Sequence, residues 1–311
     1  SSNKEASDIS EESYYRLHVE PYFKDMWVDE VTEEIVAKWI DSLEEKTFIR
    51  SGEEHHYKPK TIEHCITTLS KLFTFAKSKR ILLDNPVSST PKYRDPNEHL
   101  SLNDAEINCW DLDTFNHFLS FVKDKDDYEL YLFLFYNGLR VGEAIALRWT
   151  RIDFNEGYLE VRETATYKTK NAGKNYTSPK NRKSVRRIDL SDLILKMLKE
   201  RYDKEKRKDE FTNDWFVFGG PKGLSTVNLA RNLDKWIEIA KVKRITPHGF
   251  RHSHATMLIM SENVPDVLIA ERLGHTLEVM YNTYAHIYAK KRQQAVKYIN
   301  IASSKTPLFK D

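Results

Sequence analysis

Cysteine is almost missing: Cys65 and Cys109 are the only two in 311 residues. That is too few for a disulfide framework and fits a reducing cytoplasm. Glycine and proline contribute ten residues each, which excludes a collagen-like or low-complexity chain. No uninterrupted apolar run approaches the roughly 20 residues that span a bilayer, so no membrane association is expected. Residues 1–10 are polar and acidic, unlike the apolar stretch of a secretory leader. An excess of one charge is also missing, with 49 Lys+Arg against 47 Asp+Glu and a net of +2. What is present is 40% hydrophobic residues and 12% aromatics spread along the chain, which argues against global disorder. The length suggests two domains, each able to bury a core.

The balanced total hides an asymmetry. Residues 1–107 carry 14 basic and 21 acidic side chains, leaving 35 basic and 26 acidic in residues 108–311. A basic C-terminal two-thirds points to a polyanionic partner such as nucleic acid, although a well-solvated surface gives the same count.

Periodicity divides the chain. Ser10 or Ser13 is a candidate cap for a first helix through Tyr14, Leu17 and Val19, interrupted near Pro21. Thr32 followed by Glu33 and Glu34 reads as an N-cap with an acidic first turn. Ile62, Cys65, Ile66, Leu69, Leu72, Phe73 and Ala76 then recur at three- and four-residue steps. The other face of that helix carries Lys58, Lys60, Thr61, His64, Thr68 and Lys71, the pattern of a DNA-recognition helix or of a plain solvated face. The expected organisation is a helical unit over 1–88, a linker over 89–108 rich in proline and small polar residues, and a second domain over 109–311. In the second domain, Asp111 or Asp113 starts a helix and residues 128–137 form a buried apolar one ended by Gly138. Residues 158–168 and 184–190 alternate as strands around a long basic hairpin tip, 215–218 reads as a short strand, and the chain is helical from 225 onward. The fold class is mainly α with a small antiparallel β-sheet.

Three segments stand out chemically. Arg140 opens a helix after Gly138-Leu139, where a guanidinium beside free backbone N–H groups suits an anion; pairing with Glu143 is the alternative. Thr246 can cap and Pro247 can occupy the first turn of a helix whose His248 and Arg251 share one face, and both side chains can donate to one phosphate. His252 and His254 lack Cys or acidic ligands at metal spacing, and a structural role is the more usual one. The third segment holds His275 after Gly274, then Tyr281, Tyr284 and Tyr288 at helical spacing, where aromatic packing is the bland reading of each.

The ordered set is more specific than its parts. GLRVGEAIALRW, SPKNRKSVRRIDL, TPHGFRHSHAT, ERLGH and YNTYAH occur in that order, and the chain resembles the tyrosine recombinase (phage integrase) family. The resemblance extends to residues 13–88, which look like that family's helical core-binding domain; the match is looser there, with Phe23-Lys24-Asp25 where a glycine is often found. The resemblance implies a core-binding domain followed by an α+β catalytic domain that clamps double-stranded DNA. It implies Tyr284 as nucleophile, Arg140 and Arg251 as phosphate clamps, and Lys180 as the hairpin proton donor, with Lys174 and Lys183 as competitors. His248 and His275 would bind the phosphate or assist proton transfer. A phenol of ordinary pKa ~10 needs such help to attack at neutral pH.

The resemblance further implies strand exchange through a 3′-phosphotyrosyl intermediate by a mobile-element or phage integrase. Four protomers would synapse two sites, with DNA-bending proteins as candidate accessories and the residues after Tyr284 docking on a neighbour or on their own domain. No metal and no cofactor are expected, since the cationic side chains supply the charge and the intermediate stores the bond. The missing start Met and acidic lead-in favour an integrase trimmed of an N-terminal arm-binding domain. The alternatives are a chromosome-dimer resolvase of the same family, a non-catalytic DNA-binding regulator, and a metal-dependent nuclease, the last lacking a clustered Asp/Glu set.

Overall fold

The computed structural model describes residues 2–50, 52–91, 93, 108–166, 175–177, 185–261 and 263–304. The described residues fall into two compact units, one reaching Tyr93 and the other starting at Asn108. The fold is mainly α with small antiparallel sheets. Among the described residues no helix is long and apolar enough to cross a membrane.

The first unit starts with helix α1 (Ser2–Tyr14), which runs through a π turn (Tyr15–Val19) into Glu20–Phe23. It therefore begins well before Ser10, and Pro21 sits in the first turn of the last segment, where its missing N–H costs nothing. Helix α2 (Glu33–Glu45) begins as its sequence predicts, with the Thr32 hydroxyl accepting from the Ile35 N–H at 3.4 Å. A hairpin then intervenes that the sequence pattern does not announce, β1 (Thr47–Arg50) on β2 (Glu53–His56). Phe48 stacks on Tyr57 at 5.3 Å and packs beside His55, so aromatic contacts rather than alternation hold it. Helix α3 (Pro59–Ser78) completes the unit and buries Ile62, Cys65, Leu69 and Phe73 against Val36, Trp39 and Leu43.

The second unit is built around two helices. Helix α4 (Leu112–Phe121) is capped by Asp111, which accepts from the Thr114 N–H at 2.8 Å. Helix α5 (Lys125–Asn137) is capped by Asp124 and buries nearly every residue from Glu129 to its end. Phe115 stacks on Phe135 at 3.8 Å, and Tyr131 stacks on Phe250 at 5.5 Å. Phe250 belongs to helix α9 (Gly249–Met260), so the aromatic core fixes the helix that carries Arg251. Between them come helix α6 (Val141–Ala146), strands β3 (Ile152–Asp153), β4 (Tyr158–Val161), β5 (Thr164–Thr166), β6 (Asn175–Thr177) and β7 (Arg186–Asp189), and helices α7 (Asp192–Glu205) and α8 (Thr226–Ala240). The sheet β3-β4-β7 is antiparallel with Leu159 opposite Ile188, and β5 pairs β6 in a separate ribbon. The single strand expected over 158–168 thus breaks at Arg162-Glu163 and serves two sheets. The strand expected over 215–218 is absent; Phe216 makes only isolated bridges with Arg148 and Gly220.

The chain closes with α10 (Asp266–Leu273), α11 (Leu277–Thr283) and α12 (Ala285–Ser303). A second small core of Ala255, Ile259, Ile269, Leu273, Met280 and Ile287 surrounds Tyr284.

Gly138 ends α5 in the left-handed region at φ 63°. A Cβ there would lie 2.4 Å from Cδ2 and 2.9 Å from Cγ of His254, and that ring is held at both nitrogens and cannot retreat. Left-handed strain and overpacking act together, so Gly138→Ala should lower stability by about 2–4 kcal/mol. Urea unfolding measures this directly; an unchanged midpoint would contradict the packing described.

Candidate active site

Arg251, on the first turn of α9, is 1% exposed, and its guanidinium is held by helix ends. One terminal nitrogen donates to the Gly138 carbonyl at 2.9 Å, the C-cap of α5. The other donates to the Leu273 carbonyl, the last residue of α10, and to Nε2 of His275 at 2.8 Å. Burial, then the nearby Arg140 cation, pushes Arg251 down to about 9. It remains charged at neutral pH. Because Arg251 only donates, His275 accepts at Nε2 and carries its proton on Nδ1, a buried nitrogen with no partner among the described residues. Burial and the Arg251, Arg140 and Arg186 cations push His275 down to about 3, so it is neutral.

Arg140 occupies the N-cap of α6. Its backbone N–H donates to Glu143 Oε2 at 2.8 Å and its guanidinium to Oε1 at 2.9 Å, leaving the side chain about one-third exposed. The pairing with Glu143 expected as the alternative is therefore formed, and the arginine still reaches the surface. Glu143 is shared with Arg186 of β7, which donates to the two carboxylate oxygens at 3.1 and 2.9 Å. Burial alone would raise Glu143, but the Arg186 hydrogen bonds and charge, aided by Arg140, hold it at about 2. Arg186 also donates through Nε to the Arg272 carbonyl at 2.7 Å, which ties β7 to the end of α10.

His248 has helical backbone angles, φ −71° and ψ −23°, and its carbonyl accepts from the Arg251 and His252 N–H groups at 3.1 and 3.3 Å. It is the residue before α9, because the Gly249 N–H closes a turn onto the Thr246 carbonyl at 2.7 Å instead of Thr246 capping the helix. Burial, then Arg251 and Arg140, lowers its pKa. His248 packs edge-on to His252 at 4.7 Å. His254 is structural: Nδ1 donates to the Phe135 carbonyl at 2.9 Å and Nε2 accepts from Arg272 at 3.0 Å.

The three tyrosines separate. Tyr281 lies on α11 and Tyr288 on α12, their rings 5.0 Å apart, and both hydroxyls donate to Asp266 at 3.0 and 2.8 Å. Tyr284 stands at the break between the two helices, 0% exposed, with its hydroxyl 3.2 Å from Nδ1 of His252. Burial pushes its phenol up to about 12 against the pull of Arg251. The hairpin lysines Lys180, Lys174 and Lys183 lie outside the described residues.

In the first unit the proposed recognition face is less uniform than its sequence suggests. Lys58 precedes α3 and is exposed, while Thr61 is half-buried. Lys60 pairs with Glu63 at 2.7 Å, Lys71 pairs with Glu11, and His64 lies against Tyr14 with ring centres 5.3 Å apart. Thr68 is a correction: it is 6% exposed and donates to the His64 carbonyl at 2.9 Å, because it falls beside Cys65 and Leu69 on the buried stripe.

Sequence reasoning did not assign Arg186, Arg272 or the contact of His252 with Tyr284. Arg186 is visible only as one basic residue of VRRIDL, and His252 as one of the two histidines of HSH. Only the fold brings them to the site.

These groups gather cationic side chains near one buried tyrosine. The phage integrase family model matches residues 111–291, and the chain belongs to that family. The chain is 28% identical to the ICEBs1 integrase of Bacillus subtilis over 246 residues, 76% of this chain and 64% of that protein. It is 27% identical to a XerC-like tyrosine recombinase of Caldanaerobacter subterraneus over 286 residues, 84% of this chain and 71% of that one. The chain thus spans under two-thirds of the first relative's length and somewhat more of the second's. Its fold is similar to the Tn1549 transposon integrase solved with circular intermediate DNA, at TM-score 0.71 and 19% identity over 94% of this chain and 93% of that one. It is also similar to lambda integrase bound to a core site, at TM-score 0.60 and 16% identity over 89% and 70%.

The buried histidines set a pH dependence. His254 sits at about 3 when folded, against 6.5 when unfolded, through burial and then Arg272. Its contribution is complete above pH 6.5 and is lost as pH falls from there toward 3. Lowering pH from 7 to 5 should remove about 2 kcal/mol through His254 alone, with His275 acting in the same direction. Urea midpoints across that range provide the measurement, and His254→Asn should flatten the slope while lowering the midpoint at pH 7.

Proposed function

We propose that this chain cuts and rejoins double-stranded DNA at a specific site through a 3′-phosphotyrosyl bond to Tyr284. The observation that carries this reading is the buried phenol of Tyr284 beside a cluster in which Arg140, Arg186 and Arg251 outnumber the one carboxylate, Glu143, with His275 neutral among them. Glu143 is the one carboxylate set against Arg140, Arg186 and Arg251, and every histidine there is depressed, so the cluster carries surplus positive charge. A phosphodiester supplies the opposing charge.

In this mechanism Arg140 and Arg251 hold the non-bridging oxygens and offset the charge that grows in the transition state. His275, with its proton on the unpartnered Nδ1, and His248 complete the donors. The Tyr284 oxygen attacks phosphorus, the bond from phosphorus to the 5′ oxygen breaks, and the departing oxygen takes a proton from the hairpin lysine, Lys180 in preference to Lys174 or Lys183. The rejoining step reverses each transfer. The charge supplied by side chains makes a metal ion and a nucleotide cofactor unnecessary.

We further propose a mobile-element or phage integrase acting in the cytoplasm, with residues 1–88 as a core-type DNA-binding domain, 89–108 as a linker and 109–311 as the catalytic domain. Lys58, Lys60, Thr61, His64 and Lys71 are its candidate DNA contacts. Lambda integrase has been solved as a tetramer on a Holliday junction; a tetramer is the assembly proposed for this chain, with DNA-bending proteins as candidate accessories.

A nicked suicide substrate traps the intermediate. Wild-type protein should form a covalent DNA adduct that maps to Tyr284 and survives EDTA. Tyr284→Phe should bind the same DNA with unchanged affinity and form no adduct, while Tyr281→Phe and Tyr288→Phe still form one. DNA mapped to another residue, or an adduct abolished by EDTA, overturns the assignment.

A further inference from the structure

We infer that His252 is the base that takes the phenolic proton from Tyr284, a role resting on the strand-cleavage reading above. The carrier of the inference is a contact: Nδ1 of His252 lies 3.2 Å from the Tyr284 hydroxyl, with the two rings edge to face at 5.8 Å. No other hydrogen bond to that hydroxyl is found among the described residues. In the neutral tautomer with its proton on Nε2, His252 presents a lone pair to the phenol and the phenol donates.

The other two histidines of the site are badly placed for this step. His275 has its Nε2 lone pair engaged by Arg251 and its proton on Nδ1, so it has no free acceptor. His248 packs its ring against His252 at 4.7 Å, within electrostatic range of Arg251 and Arg140, and makes no hydrogen bond to the Tyr284 hydroxyl among the described residues. His252 occupies the position between His248 and the tyrosine, which suits relay of the proton outward.

The ionisable neighbours agree with a neutral acceptor. His248 and Arg251 flank His252 on its own helix segment, the Tyr284 phenol faces it from the break between α11 and α12, and the Cys109 thiol, just before α4, lies in electrostatic range of that phenol. Burial, then His248 and Arg251, holds His252 at about 4, so it is unprotonated at neutral pH. Proton transfer concerted with attack avoids a free phenolate, whose formation burial opposes. The balance is complete: the phenolic proton passes to Nδ1, the phenolic oxygen bonds to phosphorus, the bond to the 5′ oxygen breaks, and the hairpin lysine protonates the leaving group. On rejoining, His252 returns its proton to the phenol.

The test separates base from scaffold. Asn places an amide oxygen near the position of Nδ1, so His252→Asn keeps an acceptor for the phenol but cannot take its proton; His252→Gln is the second variant, in case the first perturbs folding. Wild-type protein is first shown to form the adduct at Tyr284 on a nicked substrate. Both variants should bind that DNA with wild-type affinity and form the Tyr284 adduct roughly one-hundredfold to ten-thousandfold more slowly. Wild-type rates should fall as pH drops and His252 protonates, and this acid limb should be missing in both variants. Wild-type rates in either folded variant, or slow rates that retain the acid limb, overturn the role of His252 while leaving Tyr284 as nucleophile. Absence of a Tyr284 adduct in the wild type defeats the cleavage reading itself, and the inference with it.

Discussion

The second unit is organised around one desolvated cation. Arg251 is taken almost wholly out of water, and its guanidinium is satisfied by backbone carbonyls at the C-terminal ends of α5 and α10. Those ends carry partial negative charge and carbonyls without intrahelical donors, so each helix gains a partner and the cation gains two. Three segments far apart in sequence are thereby fixed at one point. Phe250, the preceding residue, secures the same turn from the other side through the aromatic core. Lysine could not reproduce this arrangement, since a single ammonium lacks the planar fork that spans both carbonyls.

A second buried charge pair supports the first. Glu143 and Arg186 are each 3% exposed and bonded through both carboxylate oxygens. Such a pair is expensive to desolvate, and removing either partner would leave an uncompensated charge costing about 3–5 kcal/mol. Its value lies in placement. Glu143 also fixes the backbone and guanidinium of Arg140, and Arg186 grips the carbonyl of Arg272 two residues before Gly274. The turn that presents His275 is therefore tied to the arginine that faces it across the site.

Much of this was legible in the sequence where a local rule governs the outcome. Thr32 and Asp111 start helices because each hydroxyl or carboxylate can satisfy an N–H of the first turn, and that requires only local chemistry. Gly138 and Gly274 end helices for an equally local reason. The ordered motifs named Arg140, His248, Arg251, His275 and Tyr284, and the fold draws them into mutual electrostatic range. What escaped were features decided by tertiary contacts. The hairpin at 47–56 is held by Phe48 and Tyr57, the break at Arg162-Glu163 by the pairing of two different ribbons, and the burial of Thr68 by its place beside Cys65. The tyrosines belong to the same class: helical spacing puts all three on one face, whereas a helix break at Tyr284 turns it inward and leaves the other two on Asp266.

The same charges that equip the site also weaken the free protein. His275, His252 and Arg251 are all held below their ordinary pKa values by burial and by neighbouring cations. At neutral pH the two histidines escape that cost by staying uncharged, while Arg251 remains charged although burial and Arg140 disfavour it, and an anion entering beside it would offset that cost. Phosphate binding and the stability of the unit are therefore linked: a ligand that binds only the folded form raises stability in proportion to the logarithm of its concentration over Kd. In the proposed reaction a negative group would sit beside Arg140 and Arg251, and the same energy would favour the more highly charged transition state over the phosphodiester that precedes it. The crowding of cations is thus a cost in the empty site and, in the proposed reaction, the source of transition-state stabilisation in the occupied one.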